Sequence, residues 1–241
     1  MTVGTVTEPL LWRRLLAEFT GTGLLVAIVV GSGIFATRLT PDPALRLLIN
    51  SLVTALGLSV LILVFISVNG AQFNPVVTAV DWVLGRRTSQ RYGLGVAAAV
   101  VACQVAGAIG GSALADTMFG APVLQASTHS RGGLPVLLGE VVATAGLLLV
   151  IVALARTNRM QHVAWAVGAW IGAAYWFTSS TSFANPAVTI GRSLTDTYAG
   201  IAPVCVPAFI AAQIVGGAIG AALAVVLYPP RPSAEEARLA G

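Results

Sequence analysis

Lysine is absent from this 241-residue chain, and all thirteen basic residues are arginine. Charge of either sign is scarce: 9% of residues are charged, against about 25% in soluble domains. With 56% hydrophobic residues and a mean hydropathy of +0.87, the chain carries more apolar surface than one soluble core can hide, so lipid must solvate part of it. The net charge of +4 and the isoelectric point near 9.7 do not signal nucleic acid. The arginines sit in short links between apolar runs and form no patch or stripe. Cysteine is nearly absent. Cys103 and Cys205 lie inside or at the edge of apolar runs and make neither a disulfide framework nor a metal pattern. Histidine is equally rare, with His129 and His162 in links or span ends and no nucleophile–base constellation around them. An enzyme is therefore excluded, and no cofactor or metal is expected. The first apolar run follows Arg13-Arg14 without a small-residue cleavage site behind it, so it reads as a first span and not as a signal peptide.

Present instead are six apolar runs, near 14–36, 45–68, 94–116, 136–155, 162–180 and 204–227. Each is long enough for a membrane helix of roughly 20 residues. They are continuous and lack the period of two that a β-barrel requires. Two shorter segments, near 74–84 and 185–194, follow the second and fifth runs, and each begins with Asn-Pro. Asn is a good helix cap, and Pro is pre-organised for the first helical position. These segments read as half-helices too short to span. Irregular backbone leading into them is tolerated at membrane depth only when it is buried in protein or lines a wet cavity. The spacing thus predicts an all-α membrane protein of six transmembrane helices and two re-entrant half-helices.

Arginine placement predicts the orientation. With the N-terminus inside, Arg13, Arg14, Arg86, Arg87, Arg91, Arg156, Arg159, Arg231 and Arg238 are cytoplasmic, and Arg38, Arg46, Arg131 and Arg192 are outside. Nine against four places both termini in the cytoplasm. Trp12, Tyr92, Trp176 and Tyr228 near span ends fit interfacial belts. The expected organisation is a cytoplasmic segment 1–11, one channel domain 12–227 with repeats about 12–117 and 136–227, and a cytoplasmic tail 228–241.

The two halves resemble each other. Ala17-Glu18-Phe19-Thr20-Gly21-Thr22 recurs as Gly139-Glu140-Val141-Val142-Ala143-Thr144. Asn74-Pro75-Val76-Val77-Thr78 recurs as Asn185-Pro186-Ala187-Val188-Thr189, and Gln104 with Gly107 as Gln213 with Gly216. Three spans per half make the second copy inverted, which places a functional site near the bilayer midplane. The two half-helix N-termini then meet there, each with free N–H groups and roughly half a positive charge. Such ends oppose cations and protons. A hydroxylated solute exchanges hydrogen bonds with the Asn carboxamides and loop carbonyls, while an ion cannot recover its hydration shell.

Two Asn-Pro motifs in an inverted repeat, each half with an intramembrane glutamate, are specific. With the Ala17-Glu18-Phe19 opening, Asn69-Gly70-Ala71-Gln72-Phe73-Asn74-Pro75 and Trp82, the chain resembles the major intrinsic protein family, the aquaporins and aquaglyceroporins, over about residues 12–227. Departures are Gln72 where the family has His, and Val76 where it has Ala. The resemblance implies a homotetramer with one pore per subunit in the plasma (inner) membrane. It also implies that Glu18 and Glu140 brace the re-entrant loops. The glycines Gly107, Gly110, Gly111, Gly216, Gly217 and Gly220 suit close helix packing. Asp81 and Arg192, at matching ends of the half-helices, read as solvated mouth residues.

The family's four-residue selectivity ring maps by motif offset onto Thr54, Ser182, Val188 and Ala173, or Gly172 if the loop before Asn185 is one residue longer. Water channels of the family place an aromatic, a His and an Arg there, and glycerol channels place aromatics and an Arg. Val188 stands where the Arg is expected. The ring is then wide and neutral, unless Arg192 or Trp176 refills it. Loss of the Arg resembles bacterial aquaglyceroporins associated with arsenical resistance. The expected solutes are glycerol-like polyols, metalloid hydroxides such as arsenous acid, methylated arsenicals and water. A water-selective pore and a secondary transporter with inverted repeats are the alternatives.

Overall fold

The structure is a computed structural model that describes residues 9–85 and 92–229. Eight α-helices follow in order: α1 (Leu11–Leu39), α2 (Pro43–Asn69), α3 (Pro75–Leu84), α4 (Leu94–Phe119), α5 (Leu134–Arg156), α6 (Val163–Phe177), α7 (Pro186–Arg192) and α8 (Val206–Leu227). Among the described residues there is no strand. Segments 1–8, 86–91 and 230–241, with Arg86, Arg87, Arg91, Arg231 and Arg238, lie outside the described residues.

α1, α2, α4, α5 and α8 are long and apolar enough to cross a membrane. The sixth expected span, 162–180, is cut short. α6 has 15 residues, or about 22 Å at 1.5 Å per residue, against a hydrocarbon core of roughly 30 Å. A single turn, Met160–His162, extends it at one end, and irregular chain after Thr178 continues from the other. Thr178 Oγ1 donates back to the Ala174 carbonyl at 2.7 Å. The hydroxyl-rich run 178–182 that follows competes for backbone hydrogen bonds and ends the helix.

Both half-helices start as their Asn-Pro pairs dictate. Pro75 and Pro186 open α3 and α7. Asn74 Oδ1 accepts from Val76 N at 3.0 Å, and Asn185 Oδ1 accepts from Ala187 N at 3.0 Å and Val188 N at 3.3 Å. α3 stops at Gly85, whose φ of +59° suits a left-handed helix end.

The repeat is visible as packing. α1 lies against α4 in the first half and α5 against α8 in the second. A Cβ at Gly107 would sit 2.2 Å from the Phe19 carbonyl oxygen, and one at Gly111 would sit 2.1 Å from that of Gly23. The same holds in the second half for Gly216 against Val141 (2.4 Å) and Gly220 against Ala145 (2.0 Å). Without a hydrophobic drive between helices in lipid, such backbone contact supplies much of the association. Gly110 does not belong to this set, since its nearest neighbour is the Phe19 ring at 3.9 Å. The outward surface carries Leu52, Leu56 and Val60 of α2 and Ile214 and Val226 of α8, all exposed, as a lipid-facing surface requires.

Candidate pore and its outer neck

The two Asn-Pro motifs meet in the structure and brace each other. Asn74 Nδ2 donates to the Ala184 carbonyl at 2.7 Å, and Asn185 Nδ2 donates to the Phe73 carbonyl at 2.7 Å. Each carboxamide therefore caps its own half-helix with its oxygen and ties the opposite loop with one N–H. An amide nitrogen carries two hydrogens, so one donor per asparagine remains beyond these bonds. Pro75, Val76, Pro186 and Ala187 form the first turns behind the capping residues.

The loops ahead of the motifs are wound in an unusual way. Ala71, Phe73, Thr181, Ser182 and Ala184 all have φ between 49° and 59°, a left-handed region that costs a non-glycine residue about 1–2 kcal/mol. The glutamates offset that cost. Glu18 accepts from Gln72 N at 3.0 Å, Phe73 N at 2.8 Å, Asn69 Nδ2 at 2.7 Å and Gln104 Nε2 at 2.7 Å. Glu140 accepts from Phe183 N at 2.8 Å, Ala184 N at 2.9 Å and Gln213 Nε2 at 2.6 Å. Gln104 and Gln213 also donate to Thr78 and Thr189 at 2.9 Å each. These four residues have matching positions in the two repeats, which was the available signal for a shared role. With the amides of Gln72 and Phe183 bonded to the glutamates, the carbonyls of Ala71, Gln72, Ser182 and Phe183 accept no protein donor among the described residues.

A narrow cavity of about 60 Å³ runs past both motifs. A water needs roughly 10–15 Å³ measured this way, so the passage has room for a few waters. One wall is apolar, with Leu25, Val29, Leu58, Val167 and Ile171. The loops 70–73 and 182–184 with Asn74 and Asn185 supply the polar lining.

The lining around Thr54 departs from the expected ring. Thr54, Ser182 and Val188 line the cavity, buried at 2%, 2% and 4% exposure. Ala173 does not: it is exposed on the outside of α6, and Gly172 packs against Ala55 of α2. The α6 residue that lines the cavity beside Thr54 is Tyr175, whose hydroxyl lies 3.4 Å from Thr54 Oγ1. The chain from the α6 lining residue to Asn185 is two residues shorter than the motif offset assumes. Two residues turn a helix by about 200°, which exchanges the lipid face for the pore face. Trp176 is half-exposed with Nε1 bonded to Ser51 at 3.0 Å, and it does not line the cavity.

Arg192 is not a solvated mouth residue. It is 2% exposed and lines the cavity. Its guanidinium carbon lies 3.4 Å from the centroid of the Phe183 ring, and Nε donates to the Ala199 carbonyl. Arg131 approaches the same ring at 5.3 Å and bonds the carbonyls of Gly200 (2.7 Å) and Tyr198 (3.1 Å). Burial lowers the Arg131 pKa below its ordinary value. A guanidinium from one turn beyond Val188 therefore lines the same cavity. In the loops after α4 and α7, Asp196 accepts from Thr128 N at 2.7 Å and Oγ1 at 2.9 Å, which holds its carboxyl below the usual range.

At the other end Gln72 joins the cavity to a second vestibule containing Arg14, Asp81 and Tyr92. Gln72 Nε2 donates to Asp81 at 2.8 Å and its Oε1 accepts from Thr78 at 2.7 Å. Asp81 also accepts from the Tyr92 hydroxyl at 3.3 Å, so it is engaged at the pore entrance.

Spanning helices around a lined passage between two half-helices define a multi-pass membrane channel. The chain belongs to the major intrinsic protein family, whose model matches residues 5–162. It is 48% identical over 223 residues to the aquaglyceroporin AqpS of Rhizobium meliloti (strain 1021), covering 92% of this chain and 93% of the relative. It is 31% identical over 202 residues to aquaporin C of Dictyostelium discoideum, covering 77% and 71%. The X-ray structure of the aquaglyceroporin from Plasmodium falciparum superposes with a TM-score of 0.63 at 19% identity, covering 91% of this chain and 96% of that one. That likeness shows the fold, and the whole supports an aquaglyceroporin-like channel for small solutes.

Proposed function

We propose that the chain is a passive channel for glycerol-like polyols, metalloid hydroxides such as arsenous acid, and water. The observation that carries this reading is the two-sided cavity. An apolar wall faces carbonyls and Asn donors that have bonding capacity to spare. A polyol carries both surfaces, a CH side and a hydroxyl side, and arsenous acid presents a comparable hydroxyl pattern. Tyr175 and Arg192 return an aromatic and a guanidinium to the ring, the pairing attributed above to glycerol channels. No histidine lines the cavity, which favours the polyol reading over a water-selective pore. The case for methylated arsenicals rests on ring width, and Arg192 reduces that width, so polyols and arsenous acid stand first.

Ions and protons are excluded at the Asn-Pro motifs, where the half-helix ends and few fixed donors cannot replace a hydration shell. Glu18 and Glu140 hold the loops that make this lining. A homotetramer in the plasma membrane, with both termini in the cytoplasm, completes the proposal. Stopped-flow light scattering on proteoliposomes tests it, with water, glycerol and arsenous acid as solutes. All three are expected to move faster than through protein-free vesicles. Acceleration of water alone would favour the water-selective alternative, and uptake abolished by an uncoupler would favour a transporter.

A further inference from the structure

We infer that the outer neck of the pore is a binding subsite for a small planar oxyacid monoanion of the carboxylate class, anchored by Arg192 and Ser182, and that an anion held there closes the pore. The inference deepens the channel reading and rests on it.

Arg192 is a buried charge whose hydrogen bonds are incomplete. Of five guanidinium donors, Nε goes to the Ala199 carbonyl, and the flat face lies on Phe183. The terminal nitrogens meet no protein acceptor among the described residues, and no carboxylate there lies within ion-pair distance of Arg192. Ser182 is the second observation. It is 2% exposed, it lines the same cavity, and its Oγ makes no hydrogen bond. A buried hydroxyl without a partner is uncommon, because the lost hydration is not recovered. Both groups are satisfied at once by one ligand with two acceptor oxygens on a planar carbon. The guanidinium fork takes such a ligand through two parallel bonds, and the serine hydroxyl can donate to it.

The surrounding charge favours an anion. Arg131 adds a second guanidinium beside Phe183 and bonds only carbonyls. Glu140 lies within electrostatic reach of both arginines and offsets one of them. It is already committed behind the loop to Phe183 N, Ala184 N and Gln213. The local sum remains positive. Further passage is opposed by the apolar wall of Leu25, Val29 and Leu58, which offers a charged ligand nothing in place of water. The anion therefore stops in the neck, where solute must pass, while a neutral amide of the same shape lacks the charge that holds it.

The test uses proteoliposomes equilibrated with sodium formate on both faces at pH 7, with sodium chloride as the ionic-strength control and formamide as the neutral isostere. A glycerol gradient is then imposed. Glycerol permeability is expected to fall saturably with formate and not with formamide or chloride. In Arg192→Gln, the ratio of permeability with and without formate should approach one, with half-inhibition at least about tenfold weaker, as loss of a charge-assisted pair implies. If that variant does not fold, Ser182→Ala serves, since it leaves every charge in place and should weaken formate several-fold. Formate indifference in wild-type protein that conducts glycerol overturns the subsite, as does unchanged inhibition in the folded variants. Wild-type protein without glycerol conductance counts against the channel reading instead. The subsite is then judged by whether formate, and not formamide, raises the thermal unfolding midpoint in detergent.

Discussion

Replacing Glu140 by Gln removes one charge from behind the second re-entrant loop and alters almost no volume. Glu140 is fully buried, and both of its oxygens accept backbone N–H groups, from Phe183 at 2.8 Å and Ala184 at 2.9 Å, with Gln213 at 2.6 Å. A glutamine offers one oxygen and one NH2, so one of these buried amides faces another donor. Orphaning a buried donor costs about 1–3 kcal/mol, and the surviving bonds lose their charge assistance. The same loop holds Thr181, Ser182 and Ala184 at φ of 59°, 52° and 49°, so strain is released once the brace weakens. The expected loss is about 3–5 kcal/mol. At 2–4 °C per kcal/mol for a chain of this size, the unfolding midpoint in detergent should fall by roughly 6–20 °C. Tryptophan fluorescence on heating measures it. Glu18→Gln should cost at least as much, because Glu18 accepts four bonds. A Glu140→Gln midpoint within about 1 °C of wild type, with glycerol permeability unchanged, would refute the bracing account.

Gly111→Leu should abolish recovery of folded protein, since its Cβ would lie 2.1 Å from the Gly23 carbonyl, whereas a Cβ at Gly110 meets only the Phe19 ring at 3.9 Å and Gly110→Leu should be recovered normally. Size-exclusion profiles in detergent compare the two. Val188→Arg adds a second guanidinium to the cavity that Thr54, Tyr175, Ser182 and Arg192 already line. Glycerol permeability should fall at least about tenfold and water only a few-fold, and equal losses for both would remove Val188 from the ring. For orientation, Thr128→Cys should be labelled by an impermeant reagent on whole cells and Thr2→Cys should not. Outside labelling at position 2 reverses the assignment.

Helix positions, the half-helix starts and the inverted repeat are properties of neighbouring residues, and they were legible as such. Apolar run length sets a span. Asn followed by Pro sets a helix start, as Asn74-Pro75 and Asn185-Pro186 do. Small residues four apart, Gly107 with Gly111 and Gly216 with Gly220, mark helix contacts. The lining of the outer neck was not of this kind. The choice between Ala173 and Tyr175 depends on the length of the irregular chain before Asn185, and each residue of error rotates the helix by about 100°. Arg192 shows the same dependence for charge. In the chain it is the last residue of a short polar-ended helix, like a residue at a wet mouth. In the fold, segment 198–201 returns over it, Ala199 supplies a carbonyl, and Phe183 supplies a ring. Arg131, more than 60 residues earlier in the chain, approaches the same ring. Whether a cation is solvated or buried in the pore is decided by groups from distant parts of the chain that only folding brings within a few ångströms, and no local pattern encodes them.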